Sequence, residues 1–66
     1  MAKFVFNLVY RDKDGEFIDD ENVWVSARDK LEAFSRVQEE YPRASNYTLI
    51  RSEWLLRFFV ILKKNI

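Results

Sequence analysis

The sequence predicts a small α+β domain of ββαβ order: a three-stranded antiparallel sheet packed on one helix, with an apolar C-terminal extension. Three observations carry this. Residues 3–11, "KFVFNLVYR", alternate apolar and polar without a break. A capping signal, "SARD", opens a stretch with helical apolar spacing that runs to Pro42. Two further short runs rich in β-branched and aromatic residues, "NVWVS" and "YTLIRS", stand on either side of that stretch.

Each element follows from local chemistry. In the first strand Phe4, Phe6, Leu8 and Tyr10 fall on one face and Lys3, Val5, Asn7, Val9 and Arg11 on the other, the period-two pattern of a half-buried strand. "DKDG" then turns the chain, with Gly15 supplying the position where φ can be positive. Asn22–Ser26 reads as the second strand. The intervening Glu16–Glu21 fits either an extended hairpin or a loop. Ser26 is placed to cap a helix with Asp29 reaching back. Leu31, Phe34, Val37 and Tyr41 then form its apolar stripe, and Arg28, Glu32, Arg36, Glu39 and Glu40 lie mostly outside. Pro42 stops the helix. Tyr47–Ser52 is the third strand.

The last block, Trp54–Leu62, satisfies two periods. As a continued strand it places Ile50, Ser52, Trp54, Leu56, Phe58, Val60 and Leu62 on one face and Arg51, Glu53 and Arg57 on the other. As a helix it has Ser52 as cap, with Trp54, Leu55, Phe58, Phe59 and Leu62 as a stripe and Lys63 and Lys64 at the favourable end of the dipole. The Ser52-Glu53 start signal and the rarity of a sixteen-residue strand tilt the reading toward the helix. At nine residues, with Arg57 inside, the block is too short to span a membrane, which takes about 20 apolar residues. It is expected in the core or in an interface.

Sixty-six residues, 48% of them apolar, make a single domain, residues 1–66, with no internal repeat or linker. Cysteine and histidine are both absent. This removes disulfides, Cys/His metal sites, the commonest general base and the strongest nucleophile. Gly15 is the single glycine, so no phosphate-cradling loop can be built. No enzyme activity and no cofactor are expected. The N-terminus lacks a signal peptide's layout, and a cytoplasmic location is expected, the host cytoplasm for a phage-encoded chain.

Charge is where the sequence speaks of function. Lys and Arg number 11 and Asp and Glu 11, for a net charge of zero, but the distribution is uneven. Residues 12–21 carry Asp12, Asp14, Glu16, Asp19, Asp20 and Glu21 against Lys13, six acids and one base, or −5. Residues 41–66 carry Arg43, Arg51, Arg57, Lys63 and Lys64 against Glu53, or +4. Such polarity suits an electrostatically steered binding module. Aligning Gly15 with the glycine of a calcium-binding loop puts Asp12, Asp14 and Glu21 at ligand positions. Tyr10 then occupies the first ligand position and the flanks are strands, so calcium is not expected. Zero net charge with an acidic hairpin also argues against nucleic acid, whose phosphates demand a basic surface.

The stretch "VWVSARDKLEAFSRVQEEYPRASNYTLIRSEW" resembles small bacteriophage proteins of ββαβ layout, most of all the T7-type inhibitors of bacterial RNA polymerase. The matching residues are Ala27, Glu32, Ala33, Tyr41, Pro42, Ala44 and Tyr47. The resemblance covers about half of the chain. It implies an acidic strip and third-strand arginines that contact the polymerase. Arg51 lies at one such arginine, whereas Glu53 lies where a second would stand and reverses its charge. The resulting expectation is a non-enzymatic phage protein that binds and modulates a bacterial host complex. Its contacts would be Asp12, Asp14, Glu16, Asp19, Asp20 and Glu21 for steering, Arg51 and Arg57 for bidentate pairing, and Trp54 as apolar anchor. A small structural homodimer is the alternative, with single-stranded nucleic-acid binding behind it.

Overall fold

A computed structural model describes residues 1–54; the expectations for residues 55–64, Arg57 included, lie outside the described residues. The order is β1 (Ala2–Arg11), β2 (Phe17–Ala27), α1 (Lys30–Glu40) and β3 (Asn46–Trp54). The three strands form one antiparallel sheet in the order β2-β1-β3, so the first strand in sequence is the central one. The connection from β2 through α1 to β3 therefore crosses over β1, and the helix covers one face of the sheet.

That face is the one the alternation of β1 dictates. Ala2, Phe4, Phe6 and Leu8 are buried there with Val25 and Ala27 of β2 and Ala33 and Val37 of α1. Three of these eight are alanines, which let the helix approach the sheet closely. Phe34 meets Phe6 edge to face, ring centroids 5.0 Å apart at 79°, a favourable arrangement for two ring quadrupoles. Tyr10, Tyr41, Tyr47 and Leu49 close the rim of the core, half buried.

β2 is longer than its apolar run. It begins at Phe17, and Asp19, Asp20 and Glu21 pair with Tyr10, Val9 and Leu8. Strand pairing against an already apolar β1 overrides the low strand propensity of these acids. An extra residue, Ile18, sits between the Tyr10–Asp19 and Arg11–Phe17 pairs, a β-bulge.

The helix begins three residues later than its sequence signal. Ser26 is a β2 residue opposite Lys3, and the N-cap is Asp29, whose carboxylate accepts from the Glu32 amide at 2.8 Å. Glu32 reaches back to accept from the Arg28 amide at 2.7 Å, the reciprocal half of a capping box one residue early. The buried stripe also differs from the expected one, because the small Ala33 packs on the sheet. At about 100° per residue, Ala33, Phe34, Val37 and Tyr41 cluster on one side, and Leu31 lies roughly 110° from its centre. Leu31 is accordingly 82% exposed, contrary to the expected stripe. Tyr41 closes the helix, its amide donating to Val37 O, and Pro42 follows.

β3 runs through Trp54, and this corrects the expected helix start. Ser52 and Glu53 pair with Phe4 and Lys3, and Trp54 with Ala2. A central strand with free backbone groups on that side keeps Ser52 in the ladder and takes in Glu53 and Trp54 beyond it, and this outweighs a local capping signal. A second bulge falls at Ile50, between the Val5–Arg51 and Phe6–Leu49 pairs. It puts Leu49 and Ser52 on the helix side and Arg51 and Glu53 on the other, so Ile50 and Ser52 do not share a face as simple alternation requires. Ser45 fixes the entry to β3: its amide donates to Val9 O at 2.7 Å, and its hydroxyl accepts from the Arg11 amide at 3.1 Å.

Candidate docking surface

The hairpin arm is the expected acidic surface, and its turn is built by one of the acids. Asp12 Oδ1 accepts from the amides of Asp14 and Glu16, each at 2.9 Å. The Asp12 amide donates to Glu16 O, and Gly15 takes φ 84. This is an aspartate-anchored turn closed by the one residue that enters the left-handed region without strain. Arg11 adds a side-chain bond to Gly15 O at 3.2 Å. The Asp12 carboxylate thus shapes the arm and offers little to a partner.

The other five acids differ in their engagement. Asp20 accepts from the Asn7 side chain at 3.2 Å, and Asp19 from the Asp20 amide at 2.8 Å. Glu21 accepts from the Tyr10 hydroxyl at 2.6 Å, and this bond pushes the Tyr10 phenol up to about 12, since ionising it would set two anions against each other. The carboxylates of Asp14 and Glu16 make no hydrogen bond within the described residues. The ion pairs among the described residues join Arg28 and Arg36 to Glu32 and Arg51 to Glu53. None involves an acid of the arm, so the excess negative charge there is left uncompensated.

Two apolar side chains that sequence reading passed over stand among these charges. Phe17 is 58% and Ile18 60% exposed. The signal was a hydrophobic pair inside an otherwise acidic run, too short to show a period. Ile18 also borders a shallow cleft of about 480 Å³ at the base of the arm, lined by Tyr10, Arg11, Asp19, Glu21 and Arg43.

The remaining expected contact residues are elsewhere. Arg51 lies opposite Val5 on the face away from the helix, its Nε donating to Glu53 at 2.6 Å. That position is four residues along β1 from the level of Asp20, roughly 13 Å. Trp54 pairs with Ala2 at the end of the sheet remote from the turn. The fold therefore gathers the six acids and separates them from Arg51 and Trp54. Among the described residues no group of three or more Asp or Glu side chains is arranged to hold a metal, and no helix is long and apolar enough to cross a membrane.

Compared with known proteins, the chain matches no family model, no curated protein and no solved structure.

Proposed function

We propose that this chain is a non-enzymatic protein-binding module that docks its acidic arm on a basic surface of a partner. The observation that carries this is the arm itself: six carboxylates within residues 12–21, none ion-paired among the described residues, around the exposed Phe17 and Ile18. Uncompensated like charge on a strand pair destabilises the free protein slightly, and a cationic partner relieves it. Long-range attraction then speeds and orients the encounter, while the two apolar side chains supply the desolvated contact that holds the complex.

The bacteriophage resemblance names the partner to try first, a bacterial host complex such as RNA polymerase. Several of the residues behind that resemblance have structural duties here. Ala27 and Ala33 are core, Glu32 completes the helix cap, Tyr41 closes the helix, and Tyr47 donates to Tyr41 O at 2.6 Å. They support a shared layout more than a shared contact surface, so the target is a matter for experiment. Tagged protein is used to capture partners from bacterial lysate, with an Asp14/Glu16/Asp19→Lys variant as control and transcription by purified polymerase as the functional readout. A single complex, captured by the native chain and lost in the variant, is the expected result. Equal capture by both would remove the arm from the interface, and unchanged transcription would remove polymerase as the target.

A further inference from the structure

α1 covers one face of the sheet, and the other face has its own organisation. Cα register divides it into rows across the strands. One row is Ser26, Lys3 and Glu53; the next is Trp24, Val5 and Arg51, with the bulged Ile50 beside it. Then come Asn22, Asn7 and Thr48, and after them Asp20, Val9 and Asn46. Val5 is only 7% exposed although it points away from the helix, because the flanking side chains shelter it. Trp24 is 55% exposed, with Lys3 Nζ 5.1 Å from its ring centroid. The face thus has an apolar centre in Trp24, Val5 and Ile50, and two opposite charges, Lys3 and Asp20, towards its ends. Neither of those two is in an ion pair among the described residues.

We propose that this face docks on the same face of a second copy of the chain. The argument is charge complementarity under a two-fold axis. Lys3 is at position 3 of β1, and Asp20 is level with position 9. An axis running across the strands at position 6, in the plane between two facing sheets, brings Lys3 of each copy to the level of Asp20 of the other. Two symmetric cation–carboxylate pairs then form at the two ends of one interface, the self-complementarity an isologous dimer requires. The same axis seats Trp24 over the amide-rich row of Asn22, Asn7 and Thr48 of the other copy. An indole there buries its body and finds acceptors for its N–H. Zero net charge means that the copies approach without repulsion.

The interface is small. Seven rows by three strands give a flat footprint of about 350 Å² per copy, below the ~800 Å² per partner of a standard interface. The dimer is therefore concentration-dependent rather than obligate, and it leaves the carboxylates of Asp14 and Glu16 at the arm tip free for another partner.

Sedimentation velocity on the full chain from about 10 µM to about 1 mM, a span around the affinities such an area supports, tests this. The expected result is a mass rising toward the dimer. Lys3→Glu and Asp20→Lys each weaken association about tenfold or more by opposing like charges. The double variant, with the pairs reversed, restores it to within about threefold. Circular dichroism checks that each variant folds. A chain monomeric throughout the range overturns the proposal, whether Trp24 is then quenched by iodide or shielded within its own chain. Association that ignores the single changes, or that the double variant fails to restore, overturns it equally.

Discussion

The Tyr10 hydroxyl donates a 2.6 Å hydrogen bond to Glu21 Oε2, a diagonal contact between the inner halves of β1 and β2 on the helix side of the sheet. It ties the acidic arm to the core, because Tyr10 packs against the buried cluster while Glu21 belongs to the charged run. The bond has a spectroscopic consequence. Tyr10 should ionise at about 12, above the ordinary 10.0, and Glu21→Gln should bring it back toward the ordinary value. The phenol is held protonated in the fold, so its stabilising effect is complete below about pH 10 and is lost as pH rises to about 12. Tyrosinate absorbance during an alkaline titration measures this. A Tyr10 that ionises at the ordinary 10.0 would refute it.

The helix cap yields a pair of opposite expectations. Asp29→Ala should cost about 1 kcal/mol, since it leaves the Glu32 amide without its acceptor. Ser26→Ala should cost less, because Ser26 lies in β2 and caps nothing. Urea midpoints of the two variants decide the matter, and a larger loss at Ser26 would restore the earlier helix start.

Acid should weaken the same cap. Glu32 titrates below its ordinary value, chiefly because it accepts from the Arg28 amide and secondarily through the charges of Arg28 and Arg36. A depressed carboxylate contributes stability that is present above its unfolded pKa and is lost as pH falls through the folded one. Thermal midpoints should therefore drop below about pH 4.5, and Glu32→Gln should flatten that part of the profile.

Core and surface should separate cleanly. Leu8→Ala should cost about 2–5 kcal/mol, enough to unfold much of a domain this small, because Leu8 is fully buried. Leu31→Ala should stay within about 0.5 kcal/mol. Chemical denaturation of both variants is sufficient.

Gly15→Ala should destabilise the hairpin by about 1–2 kcal/mol through backbone strain at φ 84 alone. An added Cβ would meet nothing within 4 Å, so packing cannot be the cause. Loss of amide protection confined to residues near the turn would show it; an unchanged exchange profile would not.

How far the sequence could be read depended on whether a residue's fate was decided locally. β1 alternates because its two faces differ, and Phe4, Phe6 and Leu8 were legible from that period, whereas the buried Ala2 lies before the expected strand and Val5 is sheltered on the opposite face. The turn was legible too, since glycine and aspartate chemistry is local. The stretch Glu16–Glu21 fitted an extended hairpin as well as a loop, and Asp19, Asp20 and Glu21 are strand by virtue of the strand beside them. Leu31 was misplaced because its spacing to Phe34 and Val37 fits one helical stripe, whereas the packing of the helix on the sheet buries the side that carries the small Ala33. The bulges at Ile18 and Ile50 leave no trace in periodicity at all. Of the candidate contact residues, the acids were visible as a run, but their separation from Arg51 and Trp54 is a matter of register. The exposed Phe17 and Ile18 left no period in a charged run, and the exposure of Trp24 follows from the sheet's being covered by the helix on one side alone.

The strand order also bears on how the chain is born. β1 emerges from the ribosome first yet lies between the two others, and its second neighbour ends only at Trp54. Until then the hairpin can close, but one edge of the most apolar strand has nothing to pair with. Nascent chains halted before Asn46 would present that edge to one another, a template for aggregation. A chain that has made β1 but not yet β3 thus carries this hazard, which ends when β3 pairs with β1. A short chain with fast elongation through that interval would suffer least.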